Sequence, residues 1–204
     1  MKQQLFISHL PKNNMQFDDV IKNRKSVRSF KNKNVPWRRV LDAIDCACEG
    51  PFADGKNHLM FLIIEEPETI EKLAGFADQS WIEEAETLIV VCSDDSNLEA
   101  MHGERGRVYS RQQSGAAINT LMLKLTDLGL DSCWVGSFSD EQIKQFLEIP
   151  GHIQIEALIP IGYGSGKSNK KKKKALENAI FWESWGTGKR PTILKEDSDK
   201  YGIR

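Results

Sequence analysis

No apolar run in this 204-residue sequence is long enough to cross a bilayer; the longest, Leu59–Ile64, is six residues. The first fourteen residues lack the apolar core of a secretion signal. These absences lead to an expectation of a soluble, cytoplasmic protein with no membrane partner. Cysteine is scarce. Cys46, Cys48, Cys92 and Cys133 form no CxxC pair and stand at no zinc-ligand spacing from a histidine. They read as reduced, mostly buried thiols. His9, His58, His102 and His152 are scattered, so no metal site is expected. GxSxG, P-loop and GxGxxG motifs are missing, as are internal repeats. Net charge is only −1, which rules out a generally polyanion-binding molecule and leaves anion recognition to local patches.

What is present is an alternation of helical and strand-like segments. Asp18 and Asp19 suit the first turn of a short helix over 17–23, because the positive helix end favours anions. Pro36 suits the start of a second helix whose Val40, Leu41, Ile44 and Cys48 recur at helical spacing. Residues 52–58 contain Asp-Gly and Asn and read as a loop before a buried strand over 59–64. A helix from Pro67 to about Ala77 and a strand over 87–92 follow, then an irregular connection over 93–107. The strongest helix spans 110–128 and is stopped by Gly129. A strand over 132–135, a helix over 140–147 and a strand over 153–161 complete the pattern, which requires an α+β or α/β fold.

Composition changes after Gly164. Lys170 to Lys174 form an unbroken basic run without interleaved aromatics, which predicts no specific nucleic-acid contact. Beyond it, Phe181, Trp182 and Trp185 are too apolar for a solvated tail. The expected organisation is an N-terminal arm over 1–16, a main domain over 17–174, and a tail over 175–204 that packs on the core or on a partner subunit.

Six segments, in order, resemble the nitroreductase family. Arg24-Lys25-Ser26-Val27-Arg28-Ser29-Phe30 is similar to its Arg-Arg-Ser-x-Arg-x-Phe opening, and Val35-Pro36 to the start of its second helix. Pro51 to Asn57 resembles its Pro-Ser-x-x-Asn loop, and Gly115-Ala116-Ala117 the middle of its long helix. Residues 128–136, Leu-Gly-Leu-Asp-Ser-Cys-Trp-Val-Gly, resemble its Leu-Gly-Leu-x-x-x-Trp-x-Gly strand, and Gly162-Tyr163-Gly164 its Gly-Tyr-Pro ending. Departures include Phe52 for the usual Ser, Gln113 for a common Asp, Gly164 for Pro, and lysine for the late phosphate-binding Arg. The resemblance implies an α+β sandwich around a central mixed, mainly antiparallel sheet flanked by helices. It also implies a homodimer with FMN at the subunit interface.

Site roles follow from the same resemblance and from the chemistry of FMN. A phosphate dianion needs converging cationic and N–H donors. Arg24, Lys25 and Ser26 can supply them, with Lys171 and Lys173 standing in for the late arginine. Arg28 is suited to stabilise negative charge on a reduced flavin ring. Asn57 offers donor and acceptor to the polar ring edge or ribityl chain. Gly136, flanked by Val135 and Ser137, allows close backbone approach to flavin N5. No side chain is expected to act as a catalytic acid or base. The expected activity is hydride transfer from NAD(P)H through FMN to an electron-poor small molecule such as a nitroaromatic or quinone. The alternatives are a same-fold enzyme that removes halogens or fragments flavin, and a non-catalytic flavin- or anion-binding protein.

Overall fold

In the computed structural model the chain divides into two units, Met1–Ser168 and Asn169–Arg204, and the structure describes residues 15–166 and 175–188. The first unit opens with helix α1 (Phe17–Asn23), in which Asp18 and Asp19 occupy the first turn and Lys22 the last. Strand β1 (Phe30–Lys31) follows, then α2 (Trp37–Cys48), with Pro36 one residue before the helix. Residues 53–55 make one tight helical turn ahead of β2 (Leu59–Ile64). Then come α3 (Pro67–Ala77), with its proline in the first turn, and β3 (Thr87–Ser93).

The connection expected to be irregular is helical instead. It holds α4 (Ser96–His102) and the first turns of α5 (Glu104–Asp127). The polar composition of 93–107 concealed this because α4 buries just one apolar residue, Leu98. The chain turns between the two helices at Gly103, whose φ of 58° suits glycine. A methyl group on Gly106 would overlap the Leu98 carbonyl, so glycine is what lets α4 lie against α5. The remaining elements are β4 (Asp131–Ser132), α6 (Asp140–Phe146) and β5 (Gln154–Gly164).

Five strands form one sheet in the order β1-β5-β3-β2, with β4 also paired to β5. The named pairings are antiparallel, and a single parallel bridge joins Ser26 to Ser132. The sheet is therefore mixed and mainly antiparallel. Every residue of β3 is buried, because helices cover both faces. Ile89 and Val91 face one way, toward Val40 and Ala43 of α2 and Ile118, Leu121 and Leu125 of α5. Leu88, Val90 and Cys92 face the other, toward Ile70, Leu73 and Ala74 of α3 and Ile143 of α6. This two-sided burial explains the continuous apolar runs of β3 and β5. The fold is α+β: three layers around one sheet.

The described part of the second unit is short. Leu176–Asn178 form one helical turn, and the rings of Phe181 and Trp185 lie 4.7 Å apart. The Trp182 N–H donates to the Thr187 carbonyl at 2.7 Å.

Among the described residues, no helix is long and apolar enough to cross a membrane. None of the four cysteines is in a disulfide; Cys92 and Cys133 are buried, while Cys46 and Cys48 are half-buried.

Candidate functional site

The basic segment 24–28 is added to the sheet by β4. Ser26 bridges Ser132, and the Val27 N–H donates to the Ser132 carbonyl at 3.1 Å. Val27 is buried with Phe30 and Ala85, which fixes which side of the segment faces inward. Further along, Phe30 pairs with Gly164, and the Ser165 N–H donates to the Ser29 carbonyl at 3.0 Å. The segment is thus held at both ends, by β4 and by the end of β5. Arg28 lies between those anchors and is exposed; Arg24 and Lys25 precede the first, Arg24 half-buried and Lys25 exposed, and Ser26 is half-buried. Among the described residues, neither Arg24 nor Lys25 forms an ion pair. The Arg28 guanidinium lies 5.8 Å from the centre of the Trp81 ring, a cation–π contact.

The strand neighbouring this segment leads directly to residues 135–137. Val135 exchanges two backbone hydrogen bonds with Leu158, each 3.0 Å, and buries its side chain. It serves as an anchor, and the next residue, Gly136, is exposed. A methyl group on Gly136 would meet nothing closer than the Trp134 indole nitrogen, at 3.8 Å. Ser137 is also exposed, and its carbonyl accepts from the Gln79 amide at 3.4 Å. The Trp134 indole is 40% exposed and also approaches Gly115 of α5. Trp134 thus presents an exposed indole between Gly115 and Gly136.

Asn57 belongs to a different wall. Its side-chain oxygen accepts the Leu59 N–H at 2.9 Å, which closes a local turn at the mouth of β2. No hydrogen bond joins it to segment 24–28 or to Gly136 among the described residues. Its loop is tied instead to the helices. The Ala53 N–H donates to Gln113 Oε1, and Gln113 Nε2 faces His58 Nδ1 at 3.5 Å. Outside, His102 at the end of α4 contacts Asp54 at 2.9 Å. The structure therefore joins Arg24, Lys25, Ser26 and Arg28 to Val135, Gly136 and Ser137 through β4, and holds Asn57 separately. Lys171 and Lys173 lie outside the described residues.

The sequence reading also missed a polar cluster around Arg111 in the N-terminal half of α5. Arg111 makes ion pairs with Asp95, at 3.1 Å, and with Glu156, and the Ser93 hydroxyl also donates to Glu156. Both carboxylates are nearly enclosed, at 10% and 9% side-chain exposure, so the guanidinium is what makes their burial tolerable. Burial pushes the neighbouring His58 imidazole below the usual histidine range. A signal did exist in the sequence: Ser110, Gln113 and Ser114 stand on the helical face of Ala117, Leu121 and Leu125. Polar residues in an apolar stripe ask for partners. No group of acidic, histidine or cysteine residues suited to a metal occurs among the described residues.

The donor set fits a phosphorylated flavin. It offers cations without carboxylate partners among the described residues, on a segment bonded to β4, from which the chain continues to an exposed indole and an open glycine. Residues 75–163 match the model of the Nitroreductase family. A protein of Methanothermobacter thermautotrophicus is 28% identical over 150 residues, covering 71% of this chain and 75% of its own. It is provisionally named an NADH dehydrogenase/NAD(P)H nitroreductase. A Thermotoga neapolitana protein named iodotyrosine deiodinase is 22% identical over 161 residues, covering 71% of this chain and 87% of its own. Among solved structures, an FMN-dependent nitroreductase from Clostridium difficile superposes with a TM-score of 0.70 at 19% identity. That superposition covers 81% of this chain and 98% of the other.

Proposed function

We propose that this chain, which carries the nitroreductase fold and matches the nitroreductase family, is an FMN-dependent oxidoreductase that moves hydride from NAD(P)H to an electron-poor small molecule. The single observation that carries the reading is the stitching of segment 24–28 to β4. It holds Arg24, Lys25 and Ser26 at β4, from which the chain continues through Val135 to Gly136. Bound FMN supplies the hydride-carrying ring nitrogen; the protein supplies position and charge.

In this reading Arg24, Lys25 and Ser26 grip the phosphate, assisted by Lys171 and Lys173. Arg28 balances negative charge on the ring. Gly136, with Val135 as its anchor and Ser137 beyond it, leaves room for the ring to approach the backbone. Asn57 contacts the polar ring edge or the ribityl chain. A homodimer places the cofactor at the subunit interface, which brings Asn57 and segment 24–28 to a common ligand. The cytoplasm suits such an enzyme, since reduced nicotinamide is available there and unpaired thiols such as Cys46 and Cys48 persist.

The test is a visible spectrum of the purified protein with and without added FMN, followed by anaerobic addition of NADH or NADPH. Flavin absorbance that bleaches with a reduced nicotinamide and returns with a nitroaromatic or quinone is the expected result. Protein that stays colourless after incubation with FMN would sink the reading. A second reading, reductive removal of halogen, is favoured by the deiodinase relative. An acceptor screen that includes iodoaromatics separates the two.

A further inference from the structure

We propose that Gln113 is the positioning residue of loop 52–58, tying both ends of the loop to α5, and that its hold requires a neutral His58. The proposal rests on the flavin reading only where it makes Asn57 part of the cofactor site.

The side chain of Gln113 is 7% exposed, so its amide must find partners inside the protein. One partner is the Ala53 N–H at the start of the loop. A backbone N–H can only donate, so the amide atom facing it is the oxygen. The amide nitrogen must then point at His58 Nδ1, 3.5 Å away at the loop's end. That nitrogen can only donate, so Nδ1 accepts. This fixes the neutral His58 tautomer, with its proton on Nε2. Nε2 itself is buried, and the Ser110 backbone is the hydrogen-bonding neighbour that favours a proton on the ring.

Protonation of His58 puts an N–H on Nδ1, opposite the Gln113 NH2, and two donors then face each other. Turning the amide over relieves that clash but sets its NH2 against the Ala53 N–H, another pair of donors. The bridge cannot be kept in either orientation. Burial holds the ring neutral, with help from Arg111 on α5. Opposing it are the Ser110 backbone, Glu156 on β5 and Asp95 before α4.

The loop needs such a tie. Asp54 and Gly55 have successive left-handed φ angles, 55° and 65°, and Asp54 lacks glycine's freedom there. The loop's further ties are the half-exposed Asp54–His102 pair, the Asp94 N–H donating to the His58 carbonyl at 3.0 Å, and Lys56 against Met101. Asn57 Oδ1 is occupied by the Leu59 N–H, so the loop's path decides where the Asn57 NH2 points.

The experiment measures amide hydrogen exchange over residues 52–58 in the full chain without flavin, from pH 8 to pH 5, each rate being divided by the intrinsic, base-catalysed rate at that pH, and FMN affinity separately. Wild type should show exchange in this loop rising about tenfold toward low pH, as a local opening. Gln113→Leu should show the fast exchange at every pH and bind FMN about tenfold more weakly. Gln113→Glu can accept from both Ala53 and a protonated His58, so it should keep the loop protected at pH 5. His58→Gln should abolish the pH dependence. Unchanged exchange in Gln113→Leu, an open loop in Gln113→Glu at pH 5, or a persisting pH dependence in His58→Gln overturns the proposal. Fast exchange with unchanged FMN affinity overturns the positioning role toward the cofactor. Because the exchange arm contains no flavin, a wild type that binds no FMN removes the functional reading and leaves the loop result to be judged on its own.

Discussion

Val27 and Ser132 are joined by a 3.1 Å backbone hydrogen bond, although 105 positions separate them in sequence. The bond sets the basic segment parallel to β4, and β4 is in turn paired with β5. Cations that sequence alone would leave on a surface turn are thereby placed at a fixed edge of the sheet.

The first prediction concerns Arg24. If Arg24 grips the FMN phosphate as proposed, replacing it with alanine removes a charge-assisted contact of roughly 1.5–3 kcal/mol. FMN affinity should fall by a factor of about ten to a hundred. Titration of apoprotein with FMN, followed by flavin fluorescence, measures it, and unchanged affinity removes Arg24 from the site.

Gly164 supports the same edge. A methyl group there would lie 2.9 Å from Asp131 Oδ2 and 3.2 Å from Val27 Cγ1, and Oδ2 is the atom that accepts the Gly164 N–H. Gly164→Ala should therefore destabilise the protein by about 1–3 kcal/mol, the usual cost of overpacking. Calorimetry should record a melting temperature several degrees lower. Gly151→Ala, whose methyl would meet no described atom within 4 Å, is the control expected to melt like wild type.

Arg111→Met leaves Asp95 and Glu156 enclosed without their cation. The expected loss is about 3 kcal/mol, the low end for breaking a buried pair because the arginine is half-exposed. Urea unfolding at neutral pH measures it.

His58 gives a stability prediction of definite sign. Its pKa is lowered on folding, so the unfolded chain binds more protons than the folded one between the two values. The folded protein should hold this contribution in full above about pH 6.5, the ordinary histidine value. It should lose it as pH falls through the lower, folded value. His58→Gln should flatten the unfolding free energy over that window. A wild-type slope that survives the substitution assigns the effect to other groups.

The thiols should separate by depth. Burial pushes Cys92 up to about 11 and also raises Cys46, which is less enclosed. Native protein treated with a disulfide reagent at pH 8 should modify Cys46 and Cys48 while Cys92 stays intact. Mass mapping of Cys92 as the first site modified would contradict this burial.

Much of the fold was legible in the sequence because period and length were unambiguous. The run at 59–64 and the apolar stripe of α5 stand in the structure where the sequence placed them, and Pro36 and Pro67 mark their helix starts. What was missed had no local signature. α4 turns a polar surface to solvent and buries Leu98, so periodicity was silent. β1 is two residues long and exists through its pairing with β5. At the site, the tie between Ser26 and Ser132 is long-range and could not be read from either segment. Asn57 was legible as a functional candidate and equally as a turn residue, and its oxygen does serve the turn. The Gln113 bridge needed the loop and α5 to be seen together.

The pairing of Ser29 with Ser165 spans 136 positions. A chain emerging from the ribosome makes its basic segment early and the strand that fixes it late. The helices can form from neighbours in sequence, but the basic edge must wait for a closure over most of the domain. That closure is entropically slow. Any ligand that needs this edge is therefore captured after β5 has docked, so it can reward completed folding and cannot guide its first steps.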